Sequence, residues 1–533
     1  MNIFENLINI NYQNNSGITG ITDEFFCVYL YELLKKQNKN ILVVVNSLYE
    51  ANKIYSSLNN YTDDVFLFPM DDFLTSEAIA ISPDLLISRM ETIKNINSSV
   101  PKIIITNLMG YLRFLPTPEF YRDSIINISV GMSIEPKKLY EKLINIGYNS
   151  ETLVTKTGDV GLRGFVIDVF PLGEDNPYRI EFFGDEIESI RLFDTDTQKS
   201  LKNVKDLVVY PFTEFLMDEN ENIDDDYRKQ KYLPKYNKVC SIGKYLEDPI
   251  VVYKDFSQLK TSFSHLQEEI ETYRNDTDQF FSEKYMFDFS DIYFENNLYY
   301  MSINNISSDN KIKVFNYDVE KLDSFDENAS LINDYIRKCL NENKTVIICL
   351  KEYQIKNIIK ILNMNFVETT IDNIFLNKVN IVNFDMTEGF IYSDYVFLSQ
   401  REIFKEKVSR KKYKTKFKYA SKINDINKLN VGDYVVHNVH GIGIYNGIKK
   451  LTVNGLDKDY IEVFYQGKDK LYIPVEKIDN LSKFSGKEGT VPKINKLGGT
   501  EWQRTKSRVN KRVADMAEEL IKLYSERESR KGF

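Results

Sequence analysis

The residue types that could carry chemistry in this chain are scattered, and most of them lack the partners that chemistry needs. Ser16-Gly17-Ile18-Thr19-Gly20-Ile21-Thr22-Asp23 stands before a helical pattern, where an α/β unit would hold a nucleotide phosphate. A phosphate loop of the GxxxxGK[ST] kind uses its Lys to reach the phosphates and its hydroxyl to hold Mg²⁺. This loop has no Lys, and Asp23 would repel phosphate, so no nucleotide is expected here. His437 and His440 form an HxxH pair, which invites a metal reading. No Cys and no close third ligand completes it, and a strand-and-turn setting lacks the helical face of HExxH, so turn geometry and hydrogen bonding are the expected roles. Asp168, Glu181, Asp185, Glu186 and Glu188 could be imagined as an acid/base or metal group. They sit mostly at alternating positions without a His, which reads as a solvated face. Cys27, Cys240, Cys339 and Cys349 are far apart and form no CxxC, as expected for reduced, mostly buried thiols. No catalytic residue and no metal site is assigned.

The elements around these residues fall into regions of different texture. Residues 1–115 read as α/β: a helical period over Glu24 to Lys36, then short apolar runs at Ile41 to Val45, Val65 to Phe68 and Ile103 to Ile105. Helices alternating with buried strands predict a parallel sheet covered by helices. Residues 116–206 hold a helix over Leu139 to Ile146, then period-two runs from Gly158 to Pro171 and from Pro177 to Arg191, the mark of antiparallel strands with one wet face. Residues 207–310 return to α/β, with a strand at Ile250 to Tyr253, a helix over Phe256 to Tyr273 and an acidic loop at Asp218 to Asp226. Residues 311–404 form a small α/β unit: helices Ser330 to Asn341 and Tyr353 to Leu362, strands Thr345 to Leu350, Val379 to Phe384 and Tyr395 to Ser399.

Residues 405–425 are a basic stretch that includes Lys411, Lys412 and Lys414. A charged linker is the plain reading. Tyr413, Phe417 and Tyr419 interleave with the lysines as a base-stacking surface would, which keeps a nucleic-acid contact open. Residues 426–491 are β-rich, with short strands and Gly-bearing turns, including Asn454-Gly455 between β-formers. Residues 492–533 carry a Thr500-Glu501-Trp502-Gln503 capping box and an apolar stripe through Val509, Val513, Met516, Leu520 and Leu523, hence a long helix.

Composition agrees with a soluble multidomain protein: 42% hydrophobic, 28% charged, and no run long and apolar enough for a membrane span. No secretory signal is visible at the start, so a cytoplasmic protein is expected. A net charge of −9 argues for protein partners over a general grip on DNA phosphates.

Three sets of residues carry a family resemblance. The β module opens Val431-Gly432-Asp433, continues through His437, His440-Gly441-Ile442-Gly443 and Asp459-Tyr460, and ends Lys470-Leu471-Tyr472-Ile473-Pro474-Val475. It resembles the RNA-polymerase-interacting domain of the transcription-repair coupling factor (Mfd) family, a Tudor-like β-barrel shared with CarD-type regulators. The Lys-less loop at Ser16 to Asp23 resembles the degenerate nucleotide site of the UvrB-like part of that family. The stretch from Phe68 to Thr92, which corresponds to the damage-probing hairpin of UvrB, is short and lacks a Tyr cluster. The runs at Gly158 to Pro171 and Pro177 to Arg191 match the UvrB-like domain that docks on UvrA.

The resemblance implies a fold of a UvrB-like parallel-sheet domain with an inserted antiparallel α+β domain, a small α/β domain of unassigned role, a Tudor-like barrel and a C-terminal helix. It implies UvrA-facing residues at Arg163, Arg179 and Phe183, types that dominate interface energies. Pairing of both arginines with Asp168, Glu181 or Asp185 on an exposed sheet is the ordinary alternative. It implies RNA polymerase β-subunit contacts at Leu451, Tyr472 and Lys450. The chain is expected to be the N-terminal, non-motor half of a longer protein. ATP, Mg²⁺ and most contact with double-stranded DNA would belong to a translocase beyond this chain, which should hydrolyse no ATP by itself. In the whole family protein a C-terminal domain masks the UvrA surface, so this chain is expected to bind UvrA without a trigger. Two alternatives are a UvrB-like helicase subunit, which needs the missing Lys, and a CarD-like regulator with a UvrB-like extension.

Overall fold

The structure is a computed structural model; it describes residues 10–71, 83–96, 100–195, 198–217, 230–277, 283–302, 312–325, 328–404, 431–437, 441–453, 456–467, 469–474, 481–483 and 494. The basic stretch with Lys411, Lys412 and Lys414, the acidic loop at 218–226, His440, the Asn454-Gly455 turn and the helix expected over 492–533 lie outside them, apart from residue 494. The chain divides into two compact units, Met1–Phe417 and Lys418–Phe533.

The first unit is a multidomain α/β assembly. Its first sheet is wholly parallel, in the order Val314–Asn316, Ser16–Thr19, Asn296–Met301, Ile250–Lys254, Ile41–Val45, Ile103–Asn107, Val65–Phe68. Strands from before and after residues 126–209 share this sheet, so that stretch is an insertion into it. Alternation places Ile41, Val43 and Val45 in one core and Leu42 and Val44 in the other, which is why such strands read as continuous apolar runs.

Half of the loop expected at Ser16 to Asp23 is a strand. Ser16–Thr19 is fully buried between two neighbours, and its Ser, Gly and Thr residues gave no apolar signal. The edge strand Val314–Asn316 likewise carries the first sheet past residue 310.

The helix Asp23–Gln37 follows, capped by the Thr22 side chain on the Phe25 N–H at 3.2 Å and closed by Asn38 in the left-handed conformation. The small α/β domain has a six-stranded sheet in the order Glu320–Lys321, Phe390–Tyr392, Tyr395–Leu398, Thr345–Leu350, Val379–Asn383, Phe366–Thr369. One face packs on its own helices. The other joins the core of the first sheet through Ile347, Cys349, Phe390 and Phe397, with Phe25 edge-on to Phe390 at 5.5 Å.

The insert is a second sheet in the order Ser200–Val204, Glu186–Phe193, Tyr178–Phe183, Val166–Val169, Asp159–Arg163, Asn149–Ser150, with the helix Pro136–Asn145 against it. Asp206–Val209 pairs with Ile126–Ser129, so the insert runs through residue 206 rather than ending there. It is fastened to the first domain by a buried ion cluster. Glu214 accepts from Arg89 at 2.6 Å and from Arg113 at 2.7 Å, and Arg89 also donates to the Pro69 carbonyl at 2.9 Å.

The second unit holds a five-stranded antiparallel sheet in the order Lys470–Pro474, Leu456–Phe464, Gly441–Val453, Tyr434–His437, Leu481–Lys483. Val435, Tyr445, Ile461, Val463, Tyr465, Ile473 and Leu481 form its core. Its longest strand joins two runs that the sequence separates, Ile442 to Tyr445 and Leu451 to Val453. A register shift between Tyr445 and Ile448, with Gly447 at φ +93°, absorbs Asn446-Gly447 as a bulge.

Candidate protein-binding surfaces

The outer face of the insert is built by strand register. In Tyr178–Phe183 the odd positions Arg179, Glu181 and Phe183 point away from the core that Tyr178, Ile180 and Phe182 enter. Arg179 stands opposite Asp168 on one neighbour and Arg191 on the other. Asp168 is not part of a solvated face: it is 2% exposed, because both candidate arginines converge on it. Arg179 donates through Nε at 2.7 Å and through Nη2 at 2.9 Å, and Arg163 donates to the same Oδ2 from the adjacent strand end. Gln198 accepts a further Arg179 bond at 3.3 Å, and the guanidinium lies 4.5 Å over the Phe193 ring. Glu181 is taken by Ser189 and Arg191, while Asp185, Glu186 and Glu188 are exposed.

The pairing of both arginines with Asp168, the ordinary alternative, is what the structure shows. They pair with a carboxylate, and that pairing fixes their planes at the surface. Arg163 keeps 48% of its side chain in water, whereas Arg179 is held flat and half-buried.

Phe183 is the outlier. It is 81% exposed at the end of its strand, beside the Gly184-Asp185 turn. Phe165, in the Gly164-Phe165 turn of the neighbouring hairpin, is 60% exposed, and its carbonyl accepts from the Phe182 N–H at 2.9 Å. Two adjacent hairpin tips thus each present an aromatic ring to water. Sequence reasoning missed Phe165. Its signal was an aromatic residue following a glycine at a strand end, where it has no face to pack on.

The polymerase-contact candidates are spread over the second unit. Leu451 and Lys450 lie on the long strand, in register with Lys458 and Asp459. Tyr434–His437 pairs only with residues 441–444 of that strand, so from Ile448 onward its other backbone edge has no partner among the described residues. Ile448 and Lys449 on this edge are exposed. Tyr472 is on a different strand and donates to Glu462 at 2.9 Å, and Glu462 also accepts from Lys470 at 3.1 Å and from Asn446. Lys458 and Glu462 stand four residues apart on the strand between them, so Leu451 and Tyr472 are not brought side by side.

The phosphate-loop position holds charges of its own. Asp23, in the first turn of its helix, is 2.6 Å from Lys53 and 3.9 Å from Lys254; Lys53 also reaches Glu388 of the small domain at 3.4 Å, and Arg401 meets Glu388 at 2.6 Å. Burial raises the Asp23 carboxyl, but its bond to Lys53 and the nearby lysine charges outweigh that and hold it below its ordinary value. An anion at this helix start would meet a carboxylate and two lysines already paired, which does not fit a nucleotide phosphate. Among the described residues no group of three or more His, Cys, Asp or Glu is placed to hold a metal ion. None of the described helices is long and apolar enough to cross a membrane.

Two domain families match parts of the chain. Residues 126–215 match the UvrB interaction domain, and residues 429–485 match the CarD-like/TRCF RID domain. Over its length the chain is similar to transcription-repair-coupling factors. It is 29% identical to that of Bacillus subtilis (strain 168) over 97% of this chain and 49% of the relative. It is 28% identical to that of Staphylococcus epidermidis (strain RP62A) and 27% identical to that of Staphylococcus aureus (strain MRSA252), each over 100% of this chain and 50% of the relative. The chain thus spans about half the length of the curated relatives it matches.

Proposed function

We propose that this chain is the non-motor adaptor part of a cytoplasmic transcription-repair coupling factor. The insert binds UvrA and the second unit binds the RNA polymerase β subunit, so that polymerase stalled at a lesion is linked to excision repair. In the whole protein, ATP-driven translocation on double-stranded DNA would displace the polymerase. In this reading the second unit closes as a Tudor-like barrel, residues 492–533 form the helix that leads to the motor, and this part hydrolyses no ATP. A weak nucleic-acid contact by Lys411, Lys412 and Lys414 belongs to the same proposal. The observation that carries it is the face on which Phe183 stands exposed beside Arg163 and Arg179, both set by one buried carboxylate. Rigid aromatic and arginine side chains are the usual energetic centre of a protein interface.

Phe183→Ala is expected to weaken binding to purified UvrA about thirtyfold, as a hot-spot truncation does. Thermal stability should stay unchanged, because Phe183 packs on little. Titration calorimetry checks this; equal affinity in the variant would remove Phe183 from the interface. On the second unit, Leu451→Glu is expected to weaken binding to the isolated N-terminal lobe of the polymerase β subunit by about tenfold or more. The backbone edge beside it, without a partner among the described residues, suits strand addition by a partner. Unchanged binding in a folded Leu451→Glu variant would move the contact to another strand.

A further inference from the structure

Beside the aromatic hairpin tips the insert has an open groove of about 470 Å³. Its floor and walls come from three places: the first turns of the helix Pro136–Asn145, the Leu162-to-Phe165 hairpin tip, and Asp185 in the next turn. Tyr140, Leu162, Phe165 and Pro136 give it an apolar lining, and its charged residues are Glu135, Glu141, Asp185 and Lys137. Glu135 is the N-cap residue and answers the positive end of the helix. Lys137 is shared with Glu141 at 3.9 Å. Asp185 is exposed and has no ion pair among the described residues. Its backbone carbonyl is fixed by the Ile134 N–H at 2.7 Å, which holds the turn in place against the helix start.

The groove thus offers aromatic and aliphatic walls with an excess of negative charge and, in Asp185, a carboxylate with no ion pair among the described residues. That is the complement of a long cationic side chain: the stem lies on Leu162 and Phe165, the head meets the ring face and Asp185. A planar guanidinium can satisfy both at once better than an ammonium. We propose that this groove is a second anchor point of the insert's binding face and that it takes an arginine side chain of the partner protein. The inference rests on the UvrA reading above and deepens it. The partner would then both receive Arg163 and Phe183 and supply a cation in return, which fixes its orientation as well as its affinity.

The test compares the whole chain with Asp185→Lys, Asp185→Asn, Phe165→Ala and Phe183→Ala in binding purified UvrA, at low and high salt. Circular dichroism checks that each variant is folded. Asp185 and Phe165 are exposed turn residues, so no large loss of stability is expected. Asp185→Lys and Phe165→Ala should each weaken binding about tenfold or more. Asp185→Asn should weaken it less and reduce its dependence on salt. If Phe183→Ala weakens binding while the Asp185 and Phe165 variants bind like the parent chain, the groove is empty in the complex and the inference is overturned, the face itself standing. If Phe165→Ala weakens binding and Asp185→Lys does not, the occupant is apolar and the cationic anchor is wrong. Tighter binding by Asp185→Lys would make the occupant an anion and overturn it equally. Failure of the parent chain to bind UvrA would take down the functional reading and this inference with it.

Discussion

Glu214→Ala is expected to destabilise the first unit by about 3 to 5 kcal/mol, the usual cost of stranding a buried charge. The side chain removed is 2% exposed and lies between Arg89, which is wholly buried, and Arg113, which is nearly so. Burial raises the Glu214 carboxyl, but the charges of Arg113 and Arg89 and their hydrogen bonds outweigh it, so the group stays low and ionised. Its removal leaves two guanidinium groups facing each other without their shared anion. The damage should be greatest where the insert meets the first domain, because Arg89 and Arg113 belong to that domain and Glu214 follows the last strand of the insert. Urea unfolding followed by circular dichroism measures the effect. A loss under about 1 kcal/mol would mean that water reaches the two arginines after the change. Because the Glu214 carboxyl is depressed, the cluster's contribution is present above the ordinary carboxylate range and fades only as pH falls through the lowered value. It should therefore be constant between pH 5 and pH 8.

Glu24 is expected to behave in the opposite sense. It sits in the first turn of the helix Asp23–Gln37, 1% exposed, accepting from Tyr61 at 2.6 Å and from Ser57 at 3.3 Å. Burial pushes its carboxyl up from 4.5 to about 7, against the pull of these hydrogen bonds and one from the Thr387 backbone; the Glu388 charge adds to the rise. A raised carboxyl favours the folded state only while protonated in it. Its contribution is full below about pH 4.5 and is lost as pH rises through about 7. Between pH 5 and pH 8 this amounts to about 2 to 3 kcal/mol. In Glu24→Gln that part of the pH dependence should vanish, so the variant gains on the parent chain as pH rises. Denaturation curves at both pH values check it; the same pH slope in both proteins would show that Glu24 is ionised throughout. The site joins two domains, since Ser57 also bonds Thr387 at 2.8 Å and Lys53 reaches Glu388. Above neutral pH the small domain should therefore be the first part to loosen, and hydrogen exchange over residues 384–392 would show it.

Both sites occupy places where the sequence offered no more than a charged residue on a helix or in a loop. A lone Glu on a helical period has the same appearance whether it faces water or another domain. What decides its ionisation is burial among residues far off in sequence, Ser57 and Tyr61 and, some 360 residues on, Thr387. Glu214 was equally silent, since nothing local separates it from the acidic residues that follow it.

The sequence by itself determined those elements whose pattern is local to their own run. Ile41–Val45, Val65–Phe68 and Thr345–Leu350 lie where their continuous apolar runs placed them, because strands covered on both faces are mostly apolar along their length. The period-two runs of the insert place Arg179 and Phe183 on one face for an equally local reason, the alternation of side chains along a strand. Tertiary structure decided everything that depends on which strands are neighbours. Ser16–Thr19 is a strand only because two partners flank it. Asp168 is buried only because Arg163 and Arg179 arrive from adjacent strands, and Phe165 becomes a second exposed ring only because its hairpin ends beside that of Phe183. Periodicity records what each residue faces along its own element. Burial, ion pairing and the shape of a binding face come from contacts between elements, and their partners are set by register and topology.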